Sequence, residues 1–492
     1  KMIYSKSMKN MKKSNKNNGV DLPEIFFVGS DELQDRFDPF FYRPVFKKLL
    51  EVIANNKTAK ITLKEAITNS VAGDWGEDPM DFEPNPDYVL CYVVRNTNFH
   101  NDFNLDFSDV AQRYIKKSKA EKLALKKGDI LIEKSGGSPV QPVGRVALVD
   151  DLPFDKPVVF SNFLQKMEVN KELFLPEYIF VYLQALYKAG YMDFIQNQTT
   201  GIKNLRLDDF FKILIIKPSI AEQKKVALKA IGSREEAKGL LEKAKTILAS
   251  IDKFVLGELG IEIERERERV AFAISSDEIE GRIDPFFYKP YFKTLKRAIE
   301  SKNYAELGEL VEFAKETWDQ KSIFDNQFPY IEISNIDTSN GEIAKTDFVP
   351  VAEAPSRAKM VVREGDIIIS TTRPNRGAIT AISGEQDGFI ASTGFAILRD
   401  LKNSKVLKDY LFVALRTSMS LQQMEQRTTG GNYPAITTED LRKIKIVVPE
   451  IKTQEKIIAG VKTIYSKARN LRQEAGVVIS EAQKQTSEMI FA

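Results

Sequence analysis

Two stretches decide the fold of this chain: RFDPFFYRPVFK at residues 36–47 and RIDPFFYKPYFK at residues 282–293. Two copies of so unusual a string in one polypeptide indicate two units folded by the same rules. Further matched strings follow in the same order in both halves: KGDILI (127–132) and EGDIII (364–369), YIFVYL (178–183) and YLFVAL (410–415), TTG (199–201) and TTG (428–430), IIKPSIAEQKK (215–225) and IVVPEIKTQEK (446–456). The segments between the strings differ freely, which predicts a tandem duplication with a shared scaffold and divergent loops.

The composition limits the classes of function. At 492 residues with 43% hydrophobic content, the chain is long enough for two or more packed domains. Cys91 and His100 are the single cysteine and the single histidine, so neither an internal disulfide nor a zinc site built from several such ligands can form. No apolar run approaches about 20 residues and no secretory signal is visible, so we predict a cytoplasmic protein without a membrane span.

The charge is unevenly distributed. The net charge is +3, but the first twenty residues hold six lysines and no acid, which leaves the remainder mildly acidic. Overall charge therefore gives no argument for a nucleic-acid partner, and such a case must come from local patches. We expect the basic tail, residues 1–20, to be disordered.

Each half ends in a predicted long helix. Pro218 and Pro449 precede runs at 220–256 and 451–490 that lack proline and are rich in good helix formers. Apolar residues recur in heptads, with Leu241 predicted on the seam of the first helix, and alanine recurs at one seam position of each. We expect the two helices to pair with each other; packing of each helix on its own globular unit is the alternative.

Between the helices, short β-branched runs are punctuated by glycine and proline, as strands and turns are. The sequence therefore predicts an α+β fold, with two duplicated mixed α/β units and two long helices. The predicted boundaries are a basic tail at 1–20, a first unit at 21–218, a central helix at 219–257, a second unit at 258–449 that opens with a charged linker (258–270), and a distal helix at 450–492.

A search for catalytic motifs finds none that is specific. The chain has no GxxxxGK[ST] phosphate loop, no GxGxxG after a strand and no serine nucleophile elbow. Asp129, Glu133 and Lys134 resemble a metal-dependent nuclease cluster, but in the second copy Asp366 is followed by Ser370 in place of the glutamate. A turn-forming role for the repeated aspartate is the better interpretation. The pattern favours a binding protein, with a metal-dependent nuclease and a non-DNA protein-binding scaffold as alternatives.

The whole arrangement resembles the specificity subunit of Type I restriction-modification systems. The resemblance is carried by the paired DPFFY strings, the paired GDI strings, and TTGGNYPAITTEDLRKIKIVVPEIKTQEKI at 428–457 with its weaker partner at 199–226. It covers nearly all of the chain after the tail. It implies that each unit is a target-recognition domain for one half of a bipartite DNA sequence. It also implies that the helices pair as an antiparallel coiled coil under a pseudo-two-fold and set the spacing of the half-sites.

The same resemblance implies the partners. They are double-stranded DNA with a bipartite sequence, methyltransferase (modification) subunits docked on the helices, and a restriction-translocation subunit. The chain itself would have no catalytic residues and no metal. S-adenosylmethionine, ATP and Mg would belong to the partner subunits.

The candidate DNA-contacting residues are polar side chains on divergent loops beside the shared strands, because such side chains can address base edges. In the first unit they are Lys134, Ser135, Ser138, Gln141, Arg145, Gln198, Lys203, Asn204 and Arg206. In the second unit they are Thr371, Thr372, Arg373, Asn375, Arg376, Arg427, Thr428, Asn432 and Tyr433. The first copy reads GIKNL (201–205) where the second has GNYP (431–434), so we expect the loops that follow TTG to differ in shape.

Overall fold

The computed structural model describes residues 44–100, 102–136, 141–199, 202–263, 271–276, 279, 281–319 and 324–491. The chain divides into two compact units. The first contains residues up to Glu236 together with Val477–Ala492, and the second contains Ala237–Gly476. The predicted disordered tail and the first DPFFY string lie outside the described residues. Within the described residues, no helix is both long and apolar enough to cross a bilayer.

The first unit mixes short helices with short strands. Its helix α4 begins at Pro176, where a missing N–H costs nothing, and carries Glu177 in the first turn and Lys188 in the last, which suits the helix dipole. The helices are α1 Pro44–Asn55, α2 Leu63–Ala66, α3 Lys117–Leu123, α4 Pro176–Lys188, α5 Tyr191–Phe194 and α6 Leu207–Phe211. The strands are β1 Lys60–Thr62, β2 Ile67–Ala72, β3 Tyr88–Val94, β4 Ala111–Lys116, β5 Ile130–Glu133, β6 Ser135–Gly136, β7 Val146–Leu148, β8 Val158–Phe160, β9 Leu164–Val169, β10 Gln196–Thr199, β11 Ile202–Leu205 and β12 Leu214–Ile216.

The first unit is built on an antiparallel sheet in the order β2-β9-β5-β7. Its strand β5 carries the ILI of the GDILI string, and all four of its residues are buried. A second sheet, β4-β3-β8, joins β3 to β8 in parallel. The largest core cluster packs the first sheet against α4 through Tyr178 and Tyr182. Each such buried apolar side chain contributes about 1.5–3 kcal/mol of transfer free energy.

The second unit repeats this plan. Its long helices apart, the helices are α8 Pro290–Glu300, α9 Leu307–Leu310, α10 Lys408–Leu415, α11 Ser418–Gln426 and α12 Thr438–Arg442. The strands are β13 Tyr304–Glu306, β14 Val311–Ala314, β15 Gln327–Ile331, β16 Ile336–Asp337, β17 Glu342–Ile343, β18 Asp347–Pro350, β19 Ala358–Val361, β20 Ile367–Ser370, β21 Ile379–Ala381, β22 Ile390–Ser392, β23 Phe395–Leu401 and β24 Lys445–Val447.

The sheet orders confirm that the two units share one scaffold. The order β14-β23-β20-β21 in the second unit matches β2-β9-β5-β7 in the first, and the GDI strand occupies the same place in both. The parallel pair β15 and β22 matches β3 and β8. The two-stranded pair β13 and β24 matches β1 and β12. The predicted duplication of a mixed α/β unit is therefore confirmed.

Both predicted long helices are present. Helix α7 spans Ile220–Glu258 and helix α13 spans Ile451–Phe491. In the first unit, Ala230 of α7 and Ile490 of α13 belong to one core cluster. In the second unit, Ala244 and Leu248 pack with Ala468, so the two helices pack together there as well.

The heptad assignment of Leu241 is wrong. Its side chain is 44% exposed, whereas the neighbouring Leu240 and the alanines at 237 and 244 are buried. Ala227, Leu248 and Val255 share its heptad position and are buried, so the repeat itself is kept and Leu241 is an exception to it. At this turn of the helix the buried side is formed by Ala237, Leu240 and Ala244.

Each long helix is joined to its own unit by a buried glutamine. Gln223 accepts the backbone N–H of Leu175 at 2.9 Å and donates to the carbonyls of Leu173 and Pro218. Gln454 repeats this with the N–H of Leu407 at 2.8 Å and the carbonyls of Lys405 and Pro449. Both glutamines are fully buried. Satisfied amides of this kind hold the first turn of each helix against the loop that precedes α4 or α10.

Candidate nucleic-acid interface

The repeated aspartate of the GDI string closes a turn in both units. Asp129 accepts the backbone N–H of Lys126 at 2.8 Å, and Asp366 accepts that of Arg363 at 2.8 Å. Gly128 and Gly365 both have positive φ, 93° and 80°, which glycine adopts without strain. The turn-forming interpretation of these aspartates is therefore what the structure shows, and the turn starts the strand that leads to each divergent loop.

In the first unit, the segment after GDI pairs with the segment around TTG. Strand β11 pairs with β10 and with β6, so that Asn204 faces Ser135 and Lys203 faces Gly136. The Ser135 hydroxyl donates to the Asn204 amide oxygen at 2.7 Å. We call β6, β10 and β11, together with Lys134 and Arg206, the first loop surface.

A buried ion pair supports the first loop surface. Arg145 donates to both carboxylate oxygens of Glu133, at 2.9 and 3.1 Å, and to the carbonyl of Phe99 at 2.9 Å. Asn96 donates to Glu133 at 2.9 Å and to the carbonyl of Ser135 at 2.6 Å. Only 1% of Glu133 is exposed. Arg145 is thus engaged inside the unit, where it holds the start of the divergent loop.

The other candidates of the first unit are half-buried at the edge of the loop surface. Burial lowers the pKa of Lys134. Arg206 forms an ion pair with Asp209 at 2.8 Å, and Lys203 and Gln141 are half-buried. Ser138 lies outside the described residues, and for Gln198 the structure describes only the backbone, which pairs with Lys203.

The second unit brings together the corresponding segments. Thr372 forms an isolated β-bridge with Ala435, and Thr429 bridges the same alanine. The Ile436 N–H donates to the Thr371 carbonyl at 2.9 Å, and the Arg373 N–H donates to the Pro434 carbonyl at 2.7 Å. We call residues 371–377 and 427–435 the second loop surface.

Arg373 is held in a strained position on the second loop surface. Its φ of 49° is left-handed, which costs energy for any residue with a Cβ. Its guanidinium lies 4.8 Å from the centre of the Tyr433 ring and donates to the Asn432 carbonyl at 2.7 Å. Tyr433 is 72% exposed. An exposed aromatic ring with a guanidinium over it offers a planar surface on which a nucleic-acid base can stack.

The remaining candidates of this surface divide into exposed and internally engaged residues. Asn375 and Arg376 are exposed, and the Asn375 amide donates to Glu425 at 3.0 Å. Asn432 is also exposed. The hydroxyls of Thr371 and Thr428 donate to backbone carbonyls at 2.9 and 2.8 Å. Arg427 lies over the Phe287 ring and 3.9 Å from Asp440.

The sequence prediction missed Asn96, which holds the first loop surface together. A weak repeat could have pointed to it. Asn98 and Asn335 are both buried, and each accepts the backbone N–H of the residue three positions earlier, Arg95 or Glu332. Matching VVRNTN (93–98) with YIEISN (330–335) would have placed Asn96 beside the shared scaffold.

The two acidic residues that suggested a metal-dependent nuclease, Asp129 and Glu133, are bound by other side chains and do not form a metal site. Asp129 accepts the Lys126 amide and lies 3.7 Å from Lys166, while Glu133 is bound by Arg145 and Asn96. Across the described parts of the chain, no group of three or more His, Cys, Asp or Glu residues could hold a metal ion. The arrangement therefore gives the nuclease alternative no support.

Specificity subunits of two Type I restriction enzymes are similar to this chain in sequence. A specificity subunit of the Type I restriction enzyme HindI from Haemophilus influenzae is 26% identical over 136 residues, 27% of this chain and 29% of that subunit. One of the Type I enzyme MjaVIII from Methanocaldococcus jannaschii is 22% identical over 369 residues, 72% of this chain and 76% of that subunit. The match thus spans less than a third of the first relative's length.

Two solved structures are similar to this chain. A structure on complex assembly and conformational transition of the type I R-M system aligns with a TM-score of 0.45 at 16% identity, covering 88% of this chain and 97% of that chain. The S subunit from M. genitalium aligns with a TM-score of 0.39 at 16% identity, covering 89% of this chain and 97% of that one.

One family of known sequences matches both halves of the chain. The family described as "Type I restriction modification DNA specificity domain" matches residues 77–229 and 300–475. The two matched segments together make up well over half of the chain, and each covers one copy of the duplicated scaffold. The resemblance noted from the repeated strings is therefore confirmed: the chain belongs to the Type I restriction-modification DNA specificity family.

Proposed function

We propose that this chain is the non-catalytic DNA sequence-recognition subunit of a Type I restriction-modification complex. Each unit reads one half of a bipartite target in double-stranded DNA. The observation that carries the proposal is that each unit pairs its segment after GDI with its segment around TTG. These are the segments in which the two copies diverge, so a shared scaffold presents a different polar surface in each unit.

In this proposal, the long helices act as spacer and docking element. They form an antiparallel coiled coil under a pseudo-two-fold, fix the half-site spacing and bind the methyltransferase subunits, to which the restriction-translocation subunit is added. S-adenosylmethionine, ATP and Mg belong to those partners, and the complex works in the cytoplasm. We propose the boundaries 21–218 and 258–449 for the recognition domains and 219–257 and 450–492 for the helices.

The exposed members of the second loop surface are the strongest candidates for base contacts. Arg376, Asn375, Asn432 and Tyr433 are exposed, and arginine and asparagine can address guanine and adenine edges with two hydrogen bonds. In the first unit, we propose the corresponding role for Lys134, Ser135, Ser138, Gln141, Gln198, Lys203, Asn204 and Arg206. The more internal Arg145, Thr371, Thr372, Arg427 and Thr428 contribute by shaping the loops, and Arg373 by aligning Tyr433.

The test is methylation by the complex assembled with its methyltransferase subunits. We expect Arg376→Ala to relax base preference at one position of one half-site by about 1–3 kcal/mol, because a side chain that reads a base edge affects that position alone. The measurement is the methylation rate on cognate duplexes and on duplexes with single substitutions in either half-site. The other half-site serves as the internal reference.

Arg363→Ala is the matched control, since Arg363 is also an exposed arginine of the second unit but pairs with Glu316. It should leave base preference unchanged at every position. Methylation by this chain alone, or a wild-type complex without bipartite preference, would contradict the proposal. A gel shift with random duplex and its dependence on salt separates the proposal from the protein-binding scaffold alternative.

A further inference from the structure

The second DPFFY string folds into a rigid segment. Its Pro285–Tyr288 stretch is a short 3₁₀ turn, and Asp284 caps it by accepting the backbone N–H of Phe287 at 3.0 Å. The same aspartate accepts the Arg282 guanidinium at 3.0 Å. The Tyr288 hydroxyl returns to the Arg282 carbonyl at 2.6 Å. Residues 282–288 are thus fixed relative to one another, and the direction of the Arg282 side chain is set by Asp284.

This segment contacts the residues at which the second loop surface begins. Arg282 donates to the carbonyl of Arg427 at 3.3 Å and lies 3.5 Å from that of Thr428. Those carbonyls are at the C-terminal end of α11, where a cation is favourable because the helix dipole is negative there. The Gln426 amide donates back to the Phe287 carbonyl at 2.8 Å.

The aromatic ring of Phe287 completes the contact. The guanidinium of Arg282 lies 4.8 Å from the ring centre, and that of Arg427 lies 5.5 Å from it. Phe287 itself is only 3% exposed, which makes both cation–π contacts partly desolvated and therefore stronger than surface ones. A cleft of about 430 Å³ is lined both by Arg282 and Asp284 and by loop residues from Thr428 to Pro434.

We propose that Arg282, oriented by Asp284, is a positioning residue for DNA recognition by the second unit. It fixes the end of α11 and thereby the direction in which residues 428–435 leave the helix. The proposal rests on the proposed function for the role of that loop in DNA reading. It gives the second copy of the string, RIDPFFY at 282–288, a task beyond marking the start of a unit: it holds the divergent loop in the geometry that base contacts require.

The first test measures the loop without DNA. The Thr429 N–H donates to the Ala435 carbonyl at 2.9 Å, and the Ala435 N–H returns to Thr429 at 2.8 Å. In the full chain, we expect Arg282→Gln to speed hydrogen exchange of these two amides about tenfold, because the loop then opens more often. Lys402→Gln is the control, since Lys402 also donates to a backbone carbonyl, that of Gly308. Unchanged exchange at both amides in Arg282→Gln would overturn the proposal.

The second test measures recognition in the assembled methyltransferase complex. We expect Arg282→Gln to reduce discrimination against substitutions in one half-site about tenfold and to leave the other half-site and non-specific DNA affinity unchanged. Arg282→Lys should recover part of the discrimination, because it keeps the charge but not the planar fork. Asp284→Asn, which keeps a capping oxygen and so the turn, should show a smaller loss of the same kind.

The two proposals fail in different ways. A wild-type complex without bipartite preference contradicts the proposed function, while the exchange result still decides whether Arg282 positions the loop. A wild-type complex with bipartite preference that Arg282→Gln retains in full at both half-sites contradicts the positioning role alone. Equal loss of discrimination at both half-sites, or loss of non-specific affinity, also overturns it, because a local loop effect cannot produce either.

Discussion

The GDI turns of the two units have the same backbone but different charge partners. Asp129 in the first unit lies 3.7 Å from Lys166, whose ammonium group also contacts Glu168 at 3.0 Å. Asp366 in the second unit accepts hydrogen bonds from two nitrogens of Arg399, with N–O distances of 3.0 and 3.1 Å. Burial raises the pKa of Asp129, whereas the hydrogen bond that Arg399 donates to Asp366 is the largest of the effects that raise the pKa of Arg399.

The duplicated turn keeps its backbone hydrogen bond in both units but not its charge partner. Both aspartates accept the N–H three residues earlier, so the backbone hydrogen bond is common to both units. The cation is not common: the first unit places a lysine between Asp129 and Glu168, and the second places an arginine between Asp366 and Glu316, with two of its nitrogens on Asp366. An arginine bound at two points compensates a buried carboxylate better than a point charge does. We therefore expect the two turns to respond differently to the same substitution.

The largest expected effect is on the free energy of unfolding. Asp366→Asn should destabilise the second unit by about 3 kcal/mol, because it removes the charge of a fully buried carboxylate that binds Arg399 through two nitrogens, although Arg399 keeps its ion pair with Glu316. Asp129→Asn should cost the first unit less than about 1 kcal/mol, since asparagine keeps the backbone acceptor and Lys166 keeps Glu168.

Urea unfolding followed by fluorescence measures each unit, because Trp75 and Trp318 are the two tryptophans and one lies in each. Trp75→Phe and Trp318→Phe backgrounds isolate the two signals. Equal losses for both asparagine variants would show that the charge partner does not matter.

A smaller effect on the free energy of unfolding is expected from substitutions at positions of positive φ in the two divergent loops. Gly136 in the first unit has φ 126°, and a Cβ there would lie 2.5 Å from the Asn96 amide nitrogen. Gly136→Ala should therefore destabilise the first unit by about 1–3 kcal/mol. The second unit has Arg373 at φ 49° instead of a glycine. There, Arg373→Gly should be more stable than Arg373→Ala by about 1 kcal/mol, because glycine adopts that φ without strain.

The same tryptophan fluorescence provides the measurement for these variants. If Arg373→Ala were as stable as Arg373→Gly, the left-handed backbone at this position would store no strain. Gly377→Ala is a useful control in the second unit: its φ is 74°, but the nearest atom to a Cβ lies 3.5 Å away, so its cost comes from the backbone alone.

The smallest expected effect is on the pH dependence of stability, and it has opposite signs in the two units. Burial raises the pKa of Asp129, so the folded first unit binds its proton more tightly and this contribution to stability falls as pH rises above the unfolded value. The Arg363 hydrogen bond lowers the pKa of Glu316, so its contribution is present above the unfolded value and is lost as pH falls through the folded one.

Unfolding between pH 3 and pH 7 tests both signs with Asp129→Asn and Glu316→Gln. The stability of Asp129→Asn relative to wild type should rise with pH, and that of Glu316→Gln should fall with pH. Parallel curves for each variant and the wild type would contradict the corresponding shift.

The sequence predicted the parts of this fold that depend on repetition and periodicity. Matched strings such as GDI indicated the duplicated units, and proline-free runs after Pro218 and Pro449 indicated the long helices, because both signals are local. The seam position of Leu241 was wrong, since a periodic pattern does not show at which turns of the helix the seam is covered. The β-pairing of Ser135 with Asn204 could not be predicted, because it joins segments far apart in the chain.

The site residues show the same division. The divergent loops were predicted from where the copies disagree, but the side chains within them could not be ranked. Arg145 and Arg427 have the same charge as Arg376, and all three were predicted on divergent loops. Only the structure shows that Glu133 engages the first, that Phe287 and Asp440 contact the second, and that the third is exposed. The base preference of each loop stays a prediction for the experiments above.

The buried glutamines at the start of the long helices have a mechanical consequence. Helix α13 has 41 residues, and at about 1.5 Å per residue it is roughly 60 Å long. Residues 451–476 of α13 lie in the second unit, and over that length of roughly 40 Å a tilt of about 5° at the first turn would displace the helix by about 3 Å. The three hydrogen bonds of Gln454 are made within the first turn, where a small angular error is magnified most. They limit the tilt at the start of the helix, and the packing of Ile457, Val461 and Ala468 limits it further along.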